Sequence, residues 1–142
     1  MRLRKVAVSD LDFFFAQQAD PQAYELADVP TRDRPAFNVH WTRILSDREV
    51  VIRTIEVDGA VAGHVLSWRR DDGVRLVGYW LGRDFWGRGI ASEALAAFLE
   101  IVRERPLHAT VAHHNPASMR VLEKSGFRRV RDEPRSVVFE LR

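Results

Sequence analysis

The amino-acid sequence predicts an α+β fold built on one mixed sheet. Alternating β-branched segments over residues 50–81 predict a three-stranded antiparallel meander, because Asp58-Gly59 is a strong two-residue hairpin turn and Asp71-Asp72-Gly73 forms the next turn. A helical segment then leads to another strand, Leu107–Ala112. A connection through a helix favours parallel pairing of this strand with the last strand of the meander. We therefore expect parallel and antiparallel pairs in the same sheet.

The N-terminal third predicts one strand followed by two helices. Arg2–Val6 suits the strand, and Ser9 is expected to cap the first helix, which Pro21 would end. Tyr24–Asp28 is expected to form only a short helical turn. Pro35 suits the first position of the second helix, because proline needs no N–H partner there.

The C-terminal half predicts two more helices and two closing strands. The helix after the meander is expected to run to about Arg105, and Asn115-Pro116 opens another that ends at Ser125-Gly126. Phe127–Arg131 and Val137–Leu141 are expected to be strands. The prediction is a mostly antiparallel seven-stranded sheet with about four helices.

Length and composition favour one soluble globular domain spanning residues 1–142. The chain contains no long apolar run, so we expect no transmembrane helix and no membrane partner. The N-terminal residues lack a signal-peptide core, from which we expect a cytoplasmic location. The absence of cysteine excludes disulfides, thiolate metal sites and a cysteine nucleophile, and the five histidines show no metal-binding spacing.

The charge pattern is that of a mixed, solvated surface. A pI near 9.5 raises the alternative of a nucleic-acid-binding domain, but the net charge is only +2. The arginines alternate with acidic residues and form no basic stripe. We therefore expect no nucleic-acid partner. Tight binding that weakens steeply with salt would contradict this expectation.

Residues 82–89, between the third meander strand and the following helix, predict an anion site. Gly87 and Gly89 carry no Cβ that would obstruct a bound group, and the helix N-terminus beyond them leaves several amides unpaired. Arg88 adds a full positive charge. This arrangement favours binding of a diphosphate, although neither a Walker sequence nor a dinucleotide fingerprint is present. The alternative is a glycine-rich turn that only reverses the chain.

Two blocks of the sequence resemble the GNAT superfamily of acyl-CoA-dependent N-acetyltransferases. The first is Gly78-Tyr79-Trp80-Leu81 with Phe85-Trp86-Gly87-Arg88-Gly89-Ile90-Ala91-Ser92-Glu93-Ala94-Leu95. The second is Asn115-Pro116-Ala117-Ser118 with Val121-Leu122-Glu123-Lys124-Ser125-Gly126-Phe127. The branch that looks most similar contains the ribosomal-protein N-terminal alanine and serine acetyltransferases and their relatives acting on small amines.

The resemblance implies that acetyl-CoA is the co-substrate and assigns residues to it. The backbone amides of Gly87, Arg88, Gly89, Ile90, Ala91 and Ser92 would hold the pyrophosphate, with Trp86 at the position of the usual polar first residue. Pantetheine would lie along Trp80, Leu81 and Gly82, where two splayed central strands leave a slot. Asn115 and Ser118 are further candidate cofactor contacts, although both also suit the start of a helix.

The resemblance leaves the acid and base unassigned. Many relatives have a tyrosine at the position of Leu122 and a glutamate at that of Leu76, and neither leucine transfers protons. His64 and His113 are the replacement candidates, with His114 beside the latter. The alternative for His64 is a strand histidine satisfied by a neighbour, and for His113 and His114 an exposed loop. A backbone N–H near Leu81 or Gly82 would stabilise the oxyanion.

Two functions follow from the resemblance. The first is direct acetyl transfer to a primary amine, either a peptide N-terminus or a small molecule, by a monomer or homodimer. The second is an idle acyl-CoA-binding or regulatory module, prompted by Leu76 and Leu122. Turnover of any amine separates the two.

Overall fold

The computed structural model describes residues 1–142 and contains one seven-stranded sheet. The strands are β1 (Arg2–Arg4), β2 (Val51–Val57), β3 (Ala60–Arg69), β4 (Arg75–Leu81), β5 (Leu107–Ala112), β6 (Arg128–Asp132) and β7 (Ser136–Leu141). Their order across the sheet is β1-β2-β3-β4-β5-β7-β6. The β4–β5 pair is parallel and the others are antiparallel, which confirms the predicted mixed, mostly antiparallel sheet.

Five α-helices cover the two faces of this sheet. They are α1 (Asp10–Gln18), α2 (Pro21–Ala27), α3 (Arg34–Ser46), α4 (Ile90–Leu99) and α5 (Pro116–Lys124). The larger core joins α4 and α5 to one face through side chains such as Val77, Leu95 and Leu122. A smaller aromatic cluster packs on the other face and consists of Phe14 from α1 with Phe37 and Trp41 from α3. No helix is both long enough and apolar enough to span a bilayer.

The predicted count of about four helices was one too low, because residues 21–27 form α2. Pro21 does not end the first helix but occupies the first turn of the second, where its missing N–H costs nothing. Asp20 is the N-cap, and its side chain accepts a hydrogen bond from the amide of Gln22 at 3.2 Å. The sequence signal was therefore a cap followed by proline.

Ser9 occupies the N-cap position of α1 as predicted, but its side chain makes no capping bond. Asp10, the first residue of α1, instead accepts a hydrogen bond from the Ala7 amide, which precedes the helix, at 2.8 Å. The same buried carboxylate receives two bonds from the Arg4 guanidinium, at 2.8 and 2.9 Å, and one from the Thr54 hydroxyl at 2.7 Å. This network ties α1 to β1 and β2.

Helix α4 ends at Leu99, six residues before the predicted end. The final amides of Glu100 and Ile101 bond to carbonyls three residues back, so the last turn tightens and the chain leaves the helix. Val102 still reaches the core from this turn. The spacing between Phe98 and Val102 is therefore that of a helix, although Val102 lies beyond the end of α4.

Candidate active site

Strands β4 and β5 separate soon after they begin to pair. Their only paired residues are Leu76 and His108, so β4 has no ladder partner on this side from Val77 to Leu81. The predicted splay of the central strands is thus present. It leaves a row of backbone groups of β4 facing an open slot.

A cavity of about 320 Å³, here called the edge cavity, follows this open edge of β4. Helix α2 and the start of α5 contribute to its walls, and the loop before α4 closes one end. Ten of the twelve predicted cofactor residues line the edge cavity. They are Trp80, Leu81, Trp86, Gly87, Gly89, Ile90, Ala91, Ser92, Asn115 and Ser118. Gly82 and Arg88 are outside the lining.

The loop before α4 presents a continuous row of unpaired amides. Gly87 and Gly89 have φ angles of 72° and 74°, and a Cβ added at either would meet no protein atom within 4 Å. No backbone N–H from Gly87 through Ser92 donates a hydrogen bond within the protein. The first intrahelical donor is Glu93, which bonds to the Gly89 carbonyl at 3.1 Å. Six consecutive unpaired donors therefore lie beside the positive end of α4.

The backbone groups of Tyr79 and Leu81 face the open slot beside β4. The Gly82 amide donates to the Ala62 carbonyl at 2.8 Å, so it faces β3 and is not available to a ligand. Backbone N–H and C=O groups alternate sides along an antiparallel strand. Those of Trp80 therefore also face β3, whereas those of Tyr79 and Leu81 face the slot. Of the two predicted oxyanion donors, only Leu81 is available, and Gly82 is excluded.

Trp86 and Arg88 belong to the same loop, and Trp86 lines the edge cavity whereas Arg88 does not. The Trp86 indole N–H donates to the Leu81 carbonyl at 3.1 Å, which fixes the tryptophan across the end of β4. The Arg88 guanidinium lies 5.6 Å from the Phe85 ring centroid. Its charge is therefore beside the amide row but not in the cavity wall.

Asn115 and Ser118 connect the start of α5 to β4. Asn115 caps the helix by accepting from the Ser118 amide at 3.3 Å, as predicted. The Ser118 hydroxyl is 2.7 Å from the Tyr79 hydroxyl. Burial raises the pKa of Tyr79, and the bond with Ser118 opposes this only in part, so the phenol is protonated at neutral pH.

Tyr79 is a functional candidate that the sequence analysis missed. It is the only residue of the edge cavity with a titratable side chain. The residues at the family's usual acid and base positions, Leu122 and Leu76, are 2% and 4% exposed and belong to the core. The sequence signal that could have identified Tyr79 is the alternation of side chains along β4, which places Tyr79 and Trp80 on opposite faces of the sheet.

A second cavity of about 530 Å³, here called the face cavity, lies on the other face of the sheet. It is bounded by α1, α3, the residues between α2 and α3, and the outer surface of β3 and β4. Trp80 lines both cavities. Its indole N–H donates to the Gln17 carbonyl of α1 at 3.2 Å.

His64 lies in the wall of the face cavity and is 4% exposed. Its ring packs 4.7 Å from Phe14 and 4.9 Å from Trp41, measured between centroids. Burial, together with the charge of His40, lowers the pKa of His64 to about 3. A neutral imidazole with so low a pKa is a poor base for an ammonium group. Its Nδ1 atom has no hydrogen-bond partner.

His113 and His114 lie outside both cavities. The Nε2 atom of His113 is 2.6 Å from the Glu133 carbonyl, and that of His114 is 2.6 Å from the Glu25 carbonyl. Each imidazole therefore joins its loop to another segment. This placement agrees with the exposed-loop alternative and gives no support to a catalytic role for either histidine.

The polar groups of the two cavities form no metal-binding cluster. No group of three histidine, cysteine or acidic side chains is arranged to hold an ion. The chemistry available at the site is that of backbone amides, the Tyr79–Ser118 hydroxyl pair and the charged groups of the face cavity.

The chain is similar to several known acetyltransferases. It is 22% identical over 143 residues to an uncharacterized N-acetyltransferase, p20, from Bacillus licheniformis, covering 91% of this chain and 79% of that protein. An acetyltransferase from Agrobacterium tumefaciens superposes with a TM-score of 0.82 at 21% identity, covering 99% and 89% of the two chains. Spermidine N-acetyltransferase from Vibrio cholerae, solved with CoA and spermine, gives 0.81 at 14% identity, covering 98% and 92%.

The structural similarities extend over nearly the whole chain and show a shared fold. A sequence model of the acetyltransferase (GNAT) domain matches residues 1–128. That match includes the amide row, the open edge of β4 and all of α5. The chain therefore belongs to the GNAT acetyltransferase family.

Proposed function

We propose that this protein is an acetyl-CoA-dependent N-acetyltransferase whose residues 1–142 act as a single acyltransferase domain. The observation that carries the proposal is the row of six unpaired amides, Gly87 through Ser92, at the end of the edge cavity. Amides aimed at one region beside a helix N-terminus suit the pyrophosphate of a coenzyme. The Vibrio cholerae relative, solved with CoA, supports the choice of coenzyme.

The edge cavity suits the pantetheine arm. Backbone groups of Tyr79 and Leu81 lack a strand partner, so an extended ligand would pair with them as an added strand does. Asn115 and Ser118 would contact the arm from the α5 side. The side chain of Trp80, which lines both cavities, would bound the reacting end.

In the proposed reaction, the amine nitrogen attacks the thioester carbonyl carbon and the carbon–sulfur bond breaks. The Leu81 N–H would stabilise the negative charge on the carbonyl oxygen. The Tyr79 hydroxyl would donate to the departing thiolate, and the proton lost by the amine nitrogen would restore it through Ser118 or water. No covalent enzyme intermediate is needed, and positioning of the two substrates supplies much of the rate.

The acceptor enters as a neutral amine in this mechanism. His64 is buried with a pKa of about 3, so it does not take the proton from an ammonium group. Solution equilibrium or a water chain would supply the neutral amine. Both acceptor classes, a peptide N-terminus and a small-molecule amine, are compatible with the face cavity of about 530 Å³.

The relation to the ribosomal-protein N-terminal acetyltransferases is part of this proposal. The blocks Phe85-Trp86-Gly87-Arg88-Gly89 and Asn115-Pro116-Ala117-Ser118 support it. The spermine of the Vibrio cholerae relative supports the broader class of amine acceptors. Peptides beginning with alanine or serine are therefore tested together with small amines.

The second candidate is the idle acyl-CoA-binding module, which the buried Leu76 and Leu122 favour. Calorimetry with acetyl-CoA and release of the CoA thiol on an amine panel separate the candidates. We expect saturable binding and thiol release with at least one amine. Binding without release on any amine supports the idle module, and absence of both heat and a melting shift contradicts both candidates.

A further inference from the structure

The face cavity carries a chemical signature that the edge cavity lacks. Its floor is aromatic, formed by Phe37, Trp41, Trp68 and Trp80, with the neutral ring of His64 among them. Its rim is charged. If the protein acetylates amines as proposed, this cavity receives the acceptor, because it shares Trp80 with the edge cavity.

Two of the three arginines on the rim have no acidic partner. Arg32, between α2 and α3, and Arg43, on α3, make no ion pair and no side-chain hydrogen bond. Arg69 is engaged by Glu104 at 2.6 Å and by Glu49 at 3.3 Å. Arg32 and Arg43 are therefore the cations available to a ligand.

The cavity contains a single carboxylate to balance them. Asp47 accepts a hydrogen bond from the Glu49 amide at 2.8 Å and pairs with no arginine. Two unpaired cations against one carboxylate leave an excess of positive charge. A polyamine would bring further positive charge into this excess and would be repelled.

His40 lies close enough to these arginines for their charge to affect it. Its side chain lines the cavity. Burial lowers the pKa of His40, and the charges of Arg32 and Arg43 lower it further. Both arginines thus act electrostatically on one point of the lining, where an anion would be stabilised.

We propose that the acceptor is a primary amine that also carries a carboxylate on an aromatic or large apolar body. The carboxylate pairs with Arg32 and Arg43, and the body packs on the aromatic floor. Arginine suits this role because its planar fork binds carboxylates with two parallel hydrogen bonds. Aromatic amino acids and short peptides with an aromatic residue and a terminal carboxylate have this chemistry.

The test compares phenylalanine with phenethylamine, which lacks only the carboxylate, and with spermidine. Binding of each to the CoA-saturated protein is measured by calorimetry. We expect phenylalanine to bind at least about tenfold more tightly than phenethylamine, as charge-assisted hydrogen bonds typically give. Spermidine should bind most weakly. Equal binding of the first two, or preferential binding of spermidine, overturns the proposal.

Variants assign the effect to the two arginines. Arg32→Gln combined with Arg43→Gln should remove the preference for phenylalanine, and Arg43→Glu alone should reverse it. Arg48→Gln is the matched control, because Arg48 is an exposed arginine that also makes no ion pair but lies outside the cavity. A preference unchanged in the double variant, or lost equally in the control, overturns the assignment.

Thiol release with the same three amines tests the proposed function separately. Release with any amine supports acetyl transfer, whichever acceptor is preferred. Absence of release with selective binding of phenylalanine contradicts the enzymatic proposal but not the anion-recognising cavity. Release restricted to spermidine or phenethylamine supports the enzyme and overturns the inference about its acceptor.

Discussion

The two cavities offer different chemical groups to a ligand. The edge cavity presents main-chain donors from Gly87 through Ser92 and has one titratable side chain, Tyr79. The face cavity presents side chains and is charged, with Arg32 and Arg43 unpaired. In the proposed function, the coenzyme would be held by backbone amides, whose donors do not depend on side-chain identity. The acceptor would be selected by side chains, so substitutions should alter acceptor choice more readily than coenzyme binding.

The largest effect is expected for Gly89→Val, which changes the edge cavity alone. Gly89→Val forces a β-branched residue to a φ of 74° and points its Cβ into the space before the amide row. Acetyl-CoA affinity should fall about a thousandfold, because two or three charge-assisted hydrogen bonds of about 1.5–3 kcal/mol each are lost. Calorimetry measures the loss.

Gly59→Val controls for backbone strain. Gly59 has a φ of 80° in the β2–β3 turn, away from both cavities. This variant should lose a similar free energy of unfolding yet keep its affinity for acetyl-CoA. If both variants bind normally, the amide row is not the pyrophosphate site.

Tyr79→Phe removes the only titratable group of the edge cavity. We expect kcat to fall about a hundredfold, as for loss of a general acid, with little change in the KM for acetyl-CoA. Steady-state kinetics across pH measure the split between kcat and KM. The matched control is Tyr24→Phe, which changes the only other tyrosine, one that lines neither cavity. Equal kcat in the two variants would remove Tyr79 from the mechanism.

Asp10→Asn should disturb the face cavity more than the edge cavity. The Asp10 network holds α1 against β1 and β2, and α1 contributes Phe15 and Gln18 to the face cavity but nothing to the edge cavity. We expect a loss of about 2 kcal/mol in the free energy of unfolding, because the buried Arg4 contact is weakened. Denaturant titration measures this loss.

The Asp10 contribution has a defined dependence on pH. Burial would raise the pKa of Asp10, but the hydrogen bonds from Arg4, Ala7 and Thr54 outweigh it and lower the pKa overall. The carboxylate therefore stabilises the fold above the unfolded pKa of about 3.9, and this contribution is lost as pH falls through the lower folded value. The difference between wild type and Asp10→Asn should shrink below about pH 4. A difference independent of pH would contradict this assignment.

The smallest effect on activity is expected for His64→Leu. Because the pKa of His64 is about 3, the neutral ring is the working form, and the variant should keep kcat within a few-fold with no change in the acid limb of the rate profile. Stability should change more. In the unfolded state His64 is protonated below about pH 6.5, whereas in the folded state it stays neutral down to about pH 3. The free energy of unfolding of the wild type therefore falls by up to about 1.4 kcal/mol per pH unit as the pH decreases through this range.

Denaturant titrations from pH 7 to pH 4 measure this slope in wild type and variant. His64→Leu should flatten the profile. A shifted acid limb of kcat in the variant would restore His64 as a catalytic base.

The sequence predicted the edge cavity better than the face cavity. The glycine loop and the α5 cap depend on local patterns, such as Gly87-Arg88-Gly89 and Asn115-Pro116, and both were found in place. The open edge of β4 was expected only from the family resemblance, and it is also present. The direction of each backbone group on β4 was not predicted, because it depends on the register with β3. That register excludes the Gly82 amide as an oxyanion donor and leaves the backbone of Tyr79 facing the slot.

The face cavity could not be predicted because its residues are distant in the sequence. Arg32 and Arg43 look like ordinary surface arginines until α3 folds over the sheet beside Trp68. The length of α2 was missed for a different reason. Only a helical turn over Tyr24–Asp28 was expected, because Pro21 indicates the end of one helix and the beginning of another equally well.

Trp80 is shared by the two cavities, and it would couple the binding of the two proposed substrates. Its ring belongs to the wall of both cavities and is held by one hydrogen bond to Gln17. A coenzyme that shifts this ring alters the surface that the acceptor meets, and an acceptor that shifts it alters the coenzyme's surface by the same coupling factor. The two substrates would then bind cooperatively, and the strength of this cooperativity would be set by one indole.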